Sequence, residues 1–426
     1  MRILIATQNL VQPNNGQATF VRNLAEGMAA KGNDVLVVTP AGGHEEFPGL
    51  RCGARLEIVP SINLRPWYPE VYVTLRPQSA CARILASFRP DLVHIQDHYP
   101  LGRGMARAAR KSGLPMIGTN HFLPDNMISS IPLVSSIDPL HPLIRRILWR
   151  QALSVYRGMD AYTAPTRTAA EIFQERCIGR EVQAISNGID LDAFRPNRTV
   201  DREGVRQRFG LDPGAPLLLY VGRLDPEKRL DVLLAAFRQI RDGEAQLAVV
   251  GRGRLEPELR RRADLLGTGR RVRFLGFVPD QEVHELLASA DCFAMPSEAE
   301  LQSIATLEAM ATGLPVLASD AGALPEIVQD GVNGALFHSG DPDHAAERIR
   351  WLLEHRAHWP DMGAASLETA HQHALPITIA AFAALYEKVL TRTVREPAGS
   401  NNMPDIAPKS ASVVRNAVAR KHAGRS

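Results

Sequence analysis

The sequence predicts an α/β fold made of two doubly wound, Rossmann-like domains that face each other across a cleft. Short apolar runs alternate with amphipathic stretches along most of the chain, as buried parallel strands and their covering helices do. The alternation is interrupted once, near residue 190. At 426 residues the chain is also too long for one ordinary core. These observations favour two α/β domains over one large one.

Composition and charge exclude several classes of protein. Apolar residues make up 45% and charged residues 22% of the chain, which is typical of a soluble globular protein. The formal net charge of +3 is close to neutral for this length and argues against a dedicated nucleic-acid binder. The N-terminal apolar run is too short for a signal peptide, and no apolar stretch reaches about 18 residues. We therefore expect a cytoplasmic protein without a membrane-spanning helix.

The cysteines support the same expectation. They lie far apart and form no paired motif, so reduced, structural thiols are the simplest account. They are Cys52, Cys81, Cys177 and Cys292.

The strand-like runs form two series. The first occupies residues 2–7, 35–39, 56–60, 92–96, 116–119 and 161–165, with predicted helices at 19–31 and 78–88. The second occupies residues 217–221, 248–251, 272–277, 292–295, 316–319 and 335–337, followed by helices at 342–355 and 377–390. Ligands of such domains bind at the carboxyl ends of the parallel strands. Two domains in tandem therefore predict a site in the cleft between them.

Turn residues at 185–196 and a polar segment after them mark the domain boundary. We expect a first domain over residues 1–190, a second over 191–375, a closing helix over 376–394 and a basic tail over 395–426. The polar composition of the tail favours disorder, with a weak anchor to anionic lipid as the alternative.

The stretch from Pro296 to Val316 organises the second domain. It predicts a turn after a buried strand and then a helix that begins near Leu301. The first amides of a helix lack intrahelical partners and stabilise an anion such as a phosphate. Glu300 lies at the predicted helix tip and Glu308 is eight residues further, about 12 Å along the axis. A diphosphate with a hydroxyl-rich sugar at each end would fit, but two solvated surface carboxylates would give the same spacing.

Two cations follow the first strand of the second domain. Arg223 and Lys228 lie in the loop after a strand that ends in Val-Gly. A forked guanidinium and a compact ammonium suit a diphosphate and its charge as a leaving group. The alternative is a surface pair of cations neutralised by Asp225 or Glu227.

In this order and spacing, the motifs of the second half resemble the C-terminal domain of the retaining GT-B glycosyltransferases of family 4, also called glycosyltransferase group 1. The motifs are Val-Gly-Arg-Leu-Asp-Pro-Glu-Lys at 221–228, Val-Val-Gly-Arg-Gly at 249–253, Phe-Leu-Gly-Phe-Val-Pro at 274–279, Pro-Ser at 296–297 with the two glutamates, Gly-Leu-Pro-Val at 313–316 and Pro-Glu-Ile-Val at 325–328. Asn187-Gly-Ile-Asp190 resembles the motif with which that family enters its second domain.

The resemblance implies roles for individual residues of the second domain. Glu300 would bind hydroxyls of the donor sugar, Glu308 the ribose, and Arg223 and Lys228 the diphosphate. Backbone amides near the helix start would assist, namely those of Leu301, Gln302, Ser303 and Ile304. The family often has a glycine after the first glutamate, where this chain has Leu301-Gln302-Ser303. We therefore expect the choice of donor sugar to be decided there.

In the first domain the resemblance points to one loop and one histidine. Relatives commonly have two glycines in the loop after the first strand, where the backbone approaches the donor, and here only Gly16 matches. His121 follows a strand and looks like the cleft histidine near the sugar. The alternative is a structural histidine at a strand end.

The implied activity is transfer of a sugar from a UDP- or GDP-linked donor to a hydroxyl acceptor with retention of configuration. The first domain would bind the acceptor and the second the nucleotide diphosphate sugar, a co-substrate, with no cofactor required. We expect no catalytic metal, because His94 and His98 lie four apart on a predicted strand, about 13 Å from each other. Two alternatives stay open: a non-catalytic GT-B scaffold that senses a nucleotide or binds a partner, and a GT-B nucleotide-sugar epimerase.

The acceptor is less well defined by the sequence. Residues 94–102 and 121–126 look most like members that glycosylate membrane lipids, whereas a soluble small molecule or a polysaccharide is the alternative. Residues 141–157 combine basic side chains at 145, 146, 150 and 157 with apolar ones at helical spacing. Such a helix either lies on an anionic membrane, here the inner face, or packs as an ordinary core helix.

Overall fold

The computed structural model describes residues 1–10, 16–41, 50–63, 72–75, 77–124, 141–175, 180–196 and 200–395. Several sequence predictions fall outside these ranges. They concern residues 12–15 of the first loop, the end of the lipid-type motif at 125–126, Cys177, and the basic tail from 396 onward.

Strands and helices alternate along both halves of the chain. The strands are β1 (Arg2–Ala6), β2 (Asp34–Ala41), β3 (Arg55–Asn63), β4 (Tyr72–Thr74), β5 (Leu92–Ile95), β6 (Met116–Thr119), β7 (Ala161–Ala164), β8 (Gln183–Ala184), β9 (Leu217–Val221), β10 (Gln246–Val250), β11 (Val272–Gly276), β12 (Cys292–Met295), β13 (Val316–Ser319) and β14 (Gly334–Phe337). The α-helices are α1 (Gly16–Ala30), α2 (Pro77–Phe88), α3 (Pro100–Lys111), α4 (His141–Tyr156), α5 (Arg167–Phe173), α6 (Arg202–Arg208), α7 (Leu230–Phe237), α8 (Glu256–Leu265), α9 (Asp280–Ser289), α10 (Ile304–Ala311), α11 (Leu324–Ile327), α12 (Pro342–Glu354), α13 (Trp359–Gln372) and α14 (Leu375–Arg395).

The first sheet has the strand order β4-β3-β2-β1-β5-β6-β7-β8. Its pairs are parallel apart from the antiparallel edge pair β3 and β4. The central strands are mostly apolar and almost wholly buried, as expected where helices cover both faces of a sheet. The direction of strand succession reverses between β1 and β5, so a crevice opens at their carboxyl ends.

The second sheet is parallel throughout and has the order β11-β10-β9-β12-β13-β14. Its reversal point lies between β9 and β12. Two doubly wound, Rossmann-like sheets are therefore present, and the predicted fold class is confirmed.

The chain crosses between the two sheets twice. The first crossing is the stretch Ser186–Asp190 and the second lies at His373–Thr378, between α13 and α14. The two run side by side, because the Ile189 amide donates to the His373 carbonyl at 3.0 Å and the Leu375 amide donates to the Ile189 carbonyl at 2.8 Å. We refer to these two segments together as the crossings.

The long last helix, α14, belongs to the core of the first domain. Its buried side chains Phe382 and Tyr386 pack with Phe20 of α1 and with strands β1 and β2. The Tyr386 hydroxyl also lies 2.7 Å from His94 Nδ1, and His94 Nε2 lies 2.6 Å from the hydroxyl of Thr119. Burial lowers the pKa of His94 to about 3, so the ring is neutral in this network.

Of the described helices, none is both long enough and apolar enough to cross a membrane. The cysteines Cys52, Cys81 and Cys292 are unpaired, and the last two are buried.

Replacing Phe382 with alanine tests the place of α14 in the first-domain core. Phe382 is fully buried, so Phe382→Ala should lower the free energy of unfolding by about 3–5 kcal/mol. Ile377 lies on the same helix but is 54% exposed, and Ile377→Ala should change it by less than about 0.5 kcal/mol. Urea unfolding followed by circular dichroism measures both. Equal, small effects would mean that α14 contributes little to the core.

Candidate active site

The candidate site lies at the reversal point of the second sheet. Strands β9 and β12 are neighbours there, and the loops that follow them carry the predicted residues. Arg223 and Lys228 follow β9, and Glu300 follows β12. Although far apart in sequence, they meet because the carboxyl ends of adjacent parallel strands open at the same edge of the sheet.

Glycines allow the β9 and β10 loops to lie against each other. Gly251 has a φ of +129°, and a Cβ there would be 1.9 Å from the carbonyl oxygen of Gly222. The two loops also share a backbone hydrogen bond from Leu224 to Arg252 at 3.0 Å. This contact explains the Val-Gly ending of both strands, since a side chain would push the loops apart.

Arg223 is half-exposed and bound to two carboxylates of its own loop. Its Nη1 lies 2.6 Å from Asp225 Oδ2 and its Nη2 lies 2.8 Å from Glu227 Oε1. The Glu227 side chain is only 3% exposed, and burial raises its pKa while Arg223 opposes that rise. The alternative pairing considered from the sequence is thus present. The Arg223 side chain nonetheless remains 53% exposed.

Lys228 and Glu300 are brought into direct contact. The Nζ atom lies 2.5 Å from Glu300 Oε1, and the side chains are only 16% and 9% exposed. The loops around them are joined along their backbones, because the Glu298 amide donates to the Glu227 carbonyl at 3.0 Å. Ser297 Oγ donates to the same carbonyl at 3.1 Å. An ammonium and a carboxylate are therefore fixed together at the carboxyl end of the sheet.

The start of the helix differs from the prediction. Helix α10 begins at Ile304 and not near Leu301, because the Ser303 side chain caps it by accepting from the Thr306 amide. Glu300 consequently lies in an extended turn before the helix, and the amides that point out of the helix start belong to Ile304 and its successors. Of the tripeptide Leu301-Gln302-Ser303, the serine is the cap.

The other two residues of the tripeptide face the first domain and the crossings. The Leu301 carbonyl accepts a hydrogen bond from Thr166 Oγ1 at 2.8 Å. The buried Gln302 side chain accepts from the Asn187 amide at 2.8 Å through Oε1 and donates to Ser186 Oγ at 2.8 Å through Nε2. The sequence offered no signal for these contacts, because they depend on how the two domains sit together.

Glu308 lies in the second turn of α10 and is partly buried. Burial, together with the nearby charge of Asp280, raises the pKa of its carboxyl to about 7. Glu300 and Glu308 thus occupy different environments, since Glu300 has a cation at hydrogen-bond distance.

The first domain contributes Gly16 and His121 at its own reversal point. A Cβ on Gly16 would lie 3.2 Å from the Cδ1 atom of Ile304, so the first residue of α1 abuts the start of α10 in the second domain. His121 Nε2 lies 3.0 Å from Gln96 Oε1, and its ring packs on Phe20 at 5.1 Å between centroids. Burial lowers the pKa of His121 to about 3, so it presents a neutral imidazole. These contacts of His121 lie within the first domain.

Sequence reasoning missed two residues that support this arrangement. Gln96 holds His121 through its side-chain oxygen, and no motif in the sequence points to that contact. Glu326 accepts from the amides of Arg167 and Thr168, at 3.1 and 2.6 Å, and so joins the second domain to the start of α5.

Within the described ranges, no group of three or more His, Cys, Asp or Glu side chains is placed to hold a metal ion.

Comparison with known proteins decides the family. The model described as Glycosyl transferases group 1 matches residues 201–368, and the one described as Glycosyltransferase Family 4 matches residues 14–193. A GDP-mannose-dependent alpha-mannosyltransferase of Mycobacterium tuberculosis is 30% identical over 365 residues, which cover 84% of this chain and 88% of that one. The chain belongs to the group 1 glycosyltransferases.

Other relatives agree with this assignment. Sulfoquinovosyl transferase SQD2 of Arabidopsis thaliana is 28% identical over 83% of this chain, which spans 66% of that relative's length. Among solved structures, Anabaena HepE in complex with UDP-glucose aligns with a TM-score of 0.73 at 21% identity, over 91% of this chain and 100% of that one. That likeness confirms the GT-B fold.

Family membership confirms the predicted activity. This group 1 glycosyltransferase is a hexosyltransferase that moves a sugar from a nucleotide diphosphate sugar to a hydroxyl acceptor, with the retention of configuration that its family shows. The nucleotide sugar is a co-substrate, and the family requires no cofactor.

The raised pKa of Glu308 predicts a pH dependence of donor binding. The expected role of Glu308 is to accept hydrogen bonds from both hydroxyls of the ribose, which a carboxylate does only when it is ionised. In that role, donor binding displaces the proton that Glu308 holds below pH 7. Affinity for a nucleotide sugar should therefore rise about tenfold between pH 6 and pH 8. Calorimetry with the nucleotide sugar measures this, because its esterified diphosphate has no group that titrates near neutral pH.

Glu308→Gln provides the control for that measurement. The variant should bind more weakly at pH 8 and should lose the pH dependence. A dependence of the same size in the variant would assign the titrating group elsewhere.

Proposed function

We propose that the donor's diphosphate binds between the β9 loop and the start of α10, with Lys228 and Arg223 as its cations. The observation that carries this proposal is the contact between Lys228 and Glu300 at the reversal point of the second sheet. A largely buried ammonium at a sheet's carboxyl end, beside the first amides of a helix, favours a phosphate over other ligands. The exposed part of Arg223 adds the second positive charge.

The two glutamates then take the sugars at either end of the diphosphate. Glu300, next to the phosphate cations, accepts hydrogen bonds from hydroxyls of the transferred sugar. Glu308, further along α10, accepts from the ribose of the nucleotide. The amide of Ile304 assists at the phosphate, whereas the side chain of Gln302 is engaged with the crossings and takes no part in sugar recognition.

Retention of configuration suits a site built from phosphate ligands. The bond between the sugar's anomeric carbon and the phosphate oxygen breaks, and the acceptor oxygen bonds to the same face of that carbon. The departing phosphate oxygen takes the acceptor's proton, while Lys228, Arg223 and the α10 amides stabilise the charge that develops on the diphosphate. His121, kept neutral by burial and held in place by Gln96, orients the sugar from the first domain. Closure of the two domains excludes water, the competing acceptor.

Arg223→Ala and Lys228→Ala should each weaken binding of the nucleotide sugar by about tenfold or more, because each removes a charged hydrogen-bond donor from the diphosphate. Isothermal calorimetry measures the affinity, and a melting curve of each variant separates lost binding from lost folding. Arg241→Ala is the control, since Arg241 is 89% exposed and pairs with Glu244 of its own turn. Parent-like affinity in both site variants would overturn the diphosphate assignment.

The exposed side of α4 favours a membrane lipid as the acceptor. It also favours action of the enzyme at the inner surface of the membrane. Trp149 and Ala152 are buried in the first-domain core, so one side of α4 is a core helix. On the other side Leu143 and Ile147 are 56% and 46% exposed, with the exposed Arg146 and Arg150 beside them at helical spacing. Apolar and basic side chains on one exposed face suit an anionic bilayer surface.

Arg146→Glu combined with Arg150→Glu should reduce sedimentation with anionic liposomes by at least about tenfold, because each basic residue contributes about 1 kcal/mol near such a surface. Arg261→Glu with Arg262→Glu makes the same change in net charge on α8, in the second domain, and should leave sedimentation near the parent value. Equal sedimentation of the α4 variant and the parent would refute membrane contact by this face.

The remaining alternatives are separated by two assays. A panel of nucleotide sugars read by thermal shift identifies the donor, since a ligand that binds only the folded state raises its apparent stability. Product analysis without any acceptor then distinguishes transfer from epimerisation, and a nucleotide-binding scaffold would show a thermal shift without turnover.

A further inference from the structure

Gln302 connects the loop of the donor site to both crossings between the domains. Its Oε1 accepts from the Asn187 amide and its Nε2 donates to Ser186 Oγ, both at 2.8 Å. Ser186 Oγ also lies 2.9 Å from His373 Nδ1, on the second crossing. One buried amide thus reaches the two segments through which the domains are covalently joined.

The crossings are packed closely enough to transmit a displacement of Gln302. The Ser186 carbonyl accepts from Thr378 Oγ1 at 3.0 Å. Gly188 has a φ of +76°, and a Cβ there would be 2.8 Å from the same Thr378 hydroxyl. With no space between the segments, a movement of one requires a movement of the other.

Gln302 is also connected to the proposed donor site through the backbone. It lies two residues after Glu300 and one before Ser303, the cap of α10. The Leu301 carbonyl between them is bound by Thr166 of the first domain at 2.8 Å. The backbone from Glu300 to Ile304 therefore cannot shift on ligand binding without straining these hydrogen bonds.

We propose that Gln302 is a positioning residue that couples occupancy of the donor site to the crossings, and so to the relative placement of the two domains. The inference rests on the proposed donor site. Gln302 touches neither sugar nor phosphate. Its amide holds the donor loop in the arrangement found here, and a nucleotide bound to that loop stabilises the crossings through the same hydrogen bonds.

Hydrogen exchange with saturating UDP or GDP tests the coupling. In the parent, the nucleotide should slow exchange in the donor loop, residues 298–306. It should also slow exchange in the peptides that contain the two crossings, residues 183–191 and 371–379. Gln302→Met keeps the length of the side chain but removes both hydrogen bonds. In this variant the donor loop should still be protected, whereas the added protection of the crossings should fall about fivefold or more.

Two further variants make the result specific. Ser186→Ala removes the hydroxyl that Gln302 and His373 share, so it should reproduce the loss from the other side of the contact with little risk to folding. Gln246→Met removes three hydrogen bonds from a glutamine that is equally buried, at the amino end of β10 and away from the site. Gln246→Met should lower the free energy of unfolding but keep the full protection that the nucleotide adds in the crossings.

Crossing protection that stays at the parent level in Gln302→Met and Ser186→Ala would overturn the inference. If Gln246→Met lost the crossing protection to the same extent, the inference would also be overturned, because Gln302 would then act only on global stability. Absence of nucleotide protection in the parent's donor loop would instead refute the donor site itself.

Discussion

The ion pair between Lys228 and Glu300 constrains the positions of the loops around it. Both side chains are largely removed from solvent, and either one alone would be a buried charge costing several kcal/mol. The loops after β9 and β12 must therefore stay together. The backbone bond from Glu298 to Glu227, the Ser297 hydroxyl and the glycine contact between the β9 and β10 loops all serve that requirement.

The same pair prepares the site for an anion. Lys228 is held in place before any ligand arrives, so little conformational freedom is lost when it turns to a phosphate. In the proposed complex, Glu300 gains sugar hydroxyls as partners in exchange for part of its contact with the ammonium. The surroundings of Glu308 differ, because burial and the charge of Asp280 raise its pKa.

Much of the fold could be predicted from the sequence, because its buried strands are uninterrupted apolar runs. The bounds of β6, β9, β12 and β13 match the runs residue for residue, since turn residues follow each of them directly. The sequence did not reveal where α14 packs, because an amphipathic pattern shows that a face is buried but not which core buries it. Phe382 and Tyr386 lie with Phe20 of the first helix, at the opposite end of the chain.

At the site, too, features set by the local sequence could be predicted, whereas features set by tertiary contacts could not. Arg223, Lys228, Glu300 and Glu308 were selected by residue type and by their position after strands, both of which are local properties. The start of α10 was predicted three residues too early, because Ser303 competes with earlier positions as cap and the turn before it is held from outside. Gln96 and Glu326 were missed because their roles depend on partners distant in sequence.

The contacts between the domains converge on the loop that carries Glu300. Thr166 Oγ1 accepts from the Ala169 amide at the start of α5 and donates to the Leu301 carbonyl, so one hydroxyl belongs to both domains. Glu326 completes the same junction by accepting the amides of Arg167 and Thr168. Because hydrogen bonds are directional, these contacts restrict the relative placement of the two domains. The position of Glu300 is therefore defined by both domains, although every residue of its loop belongs to one.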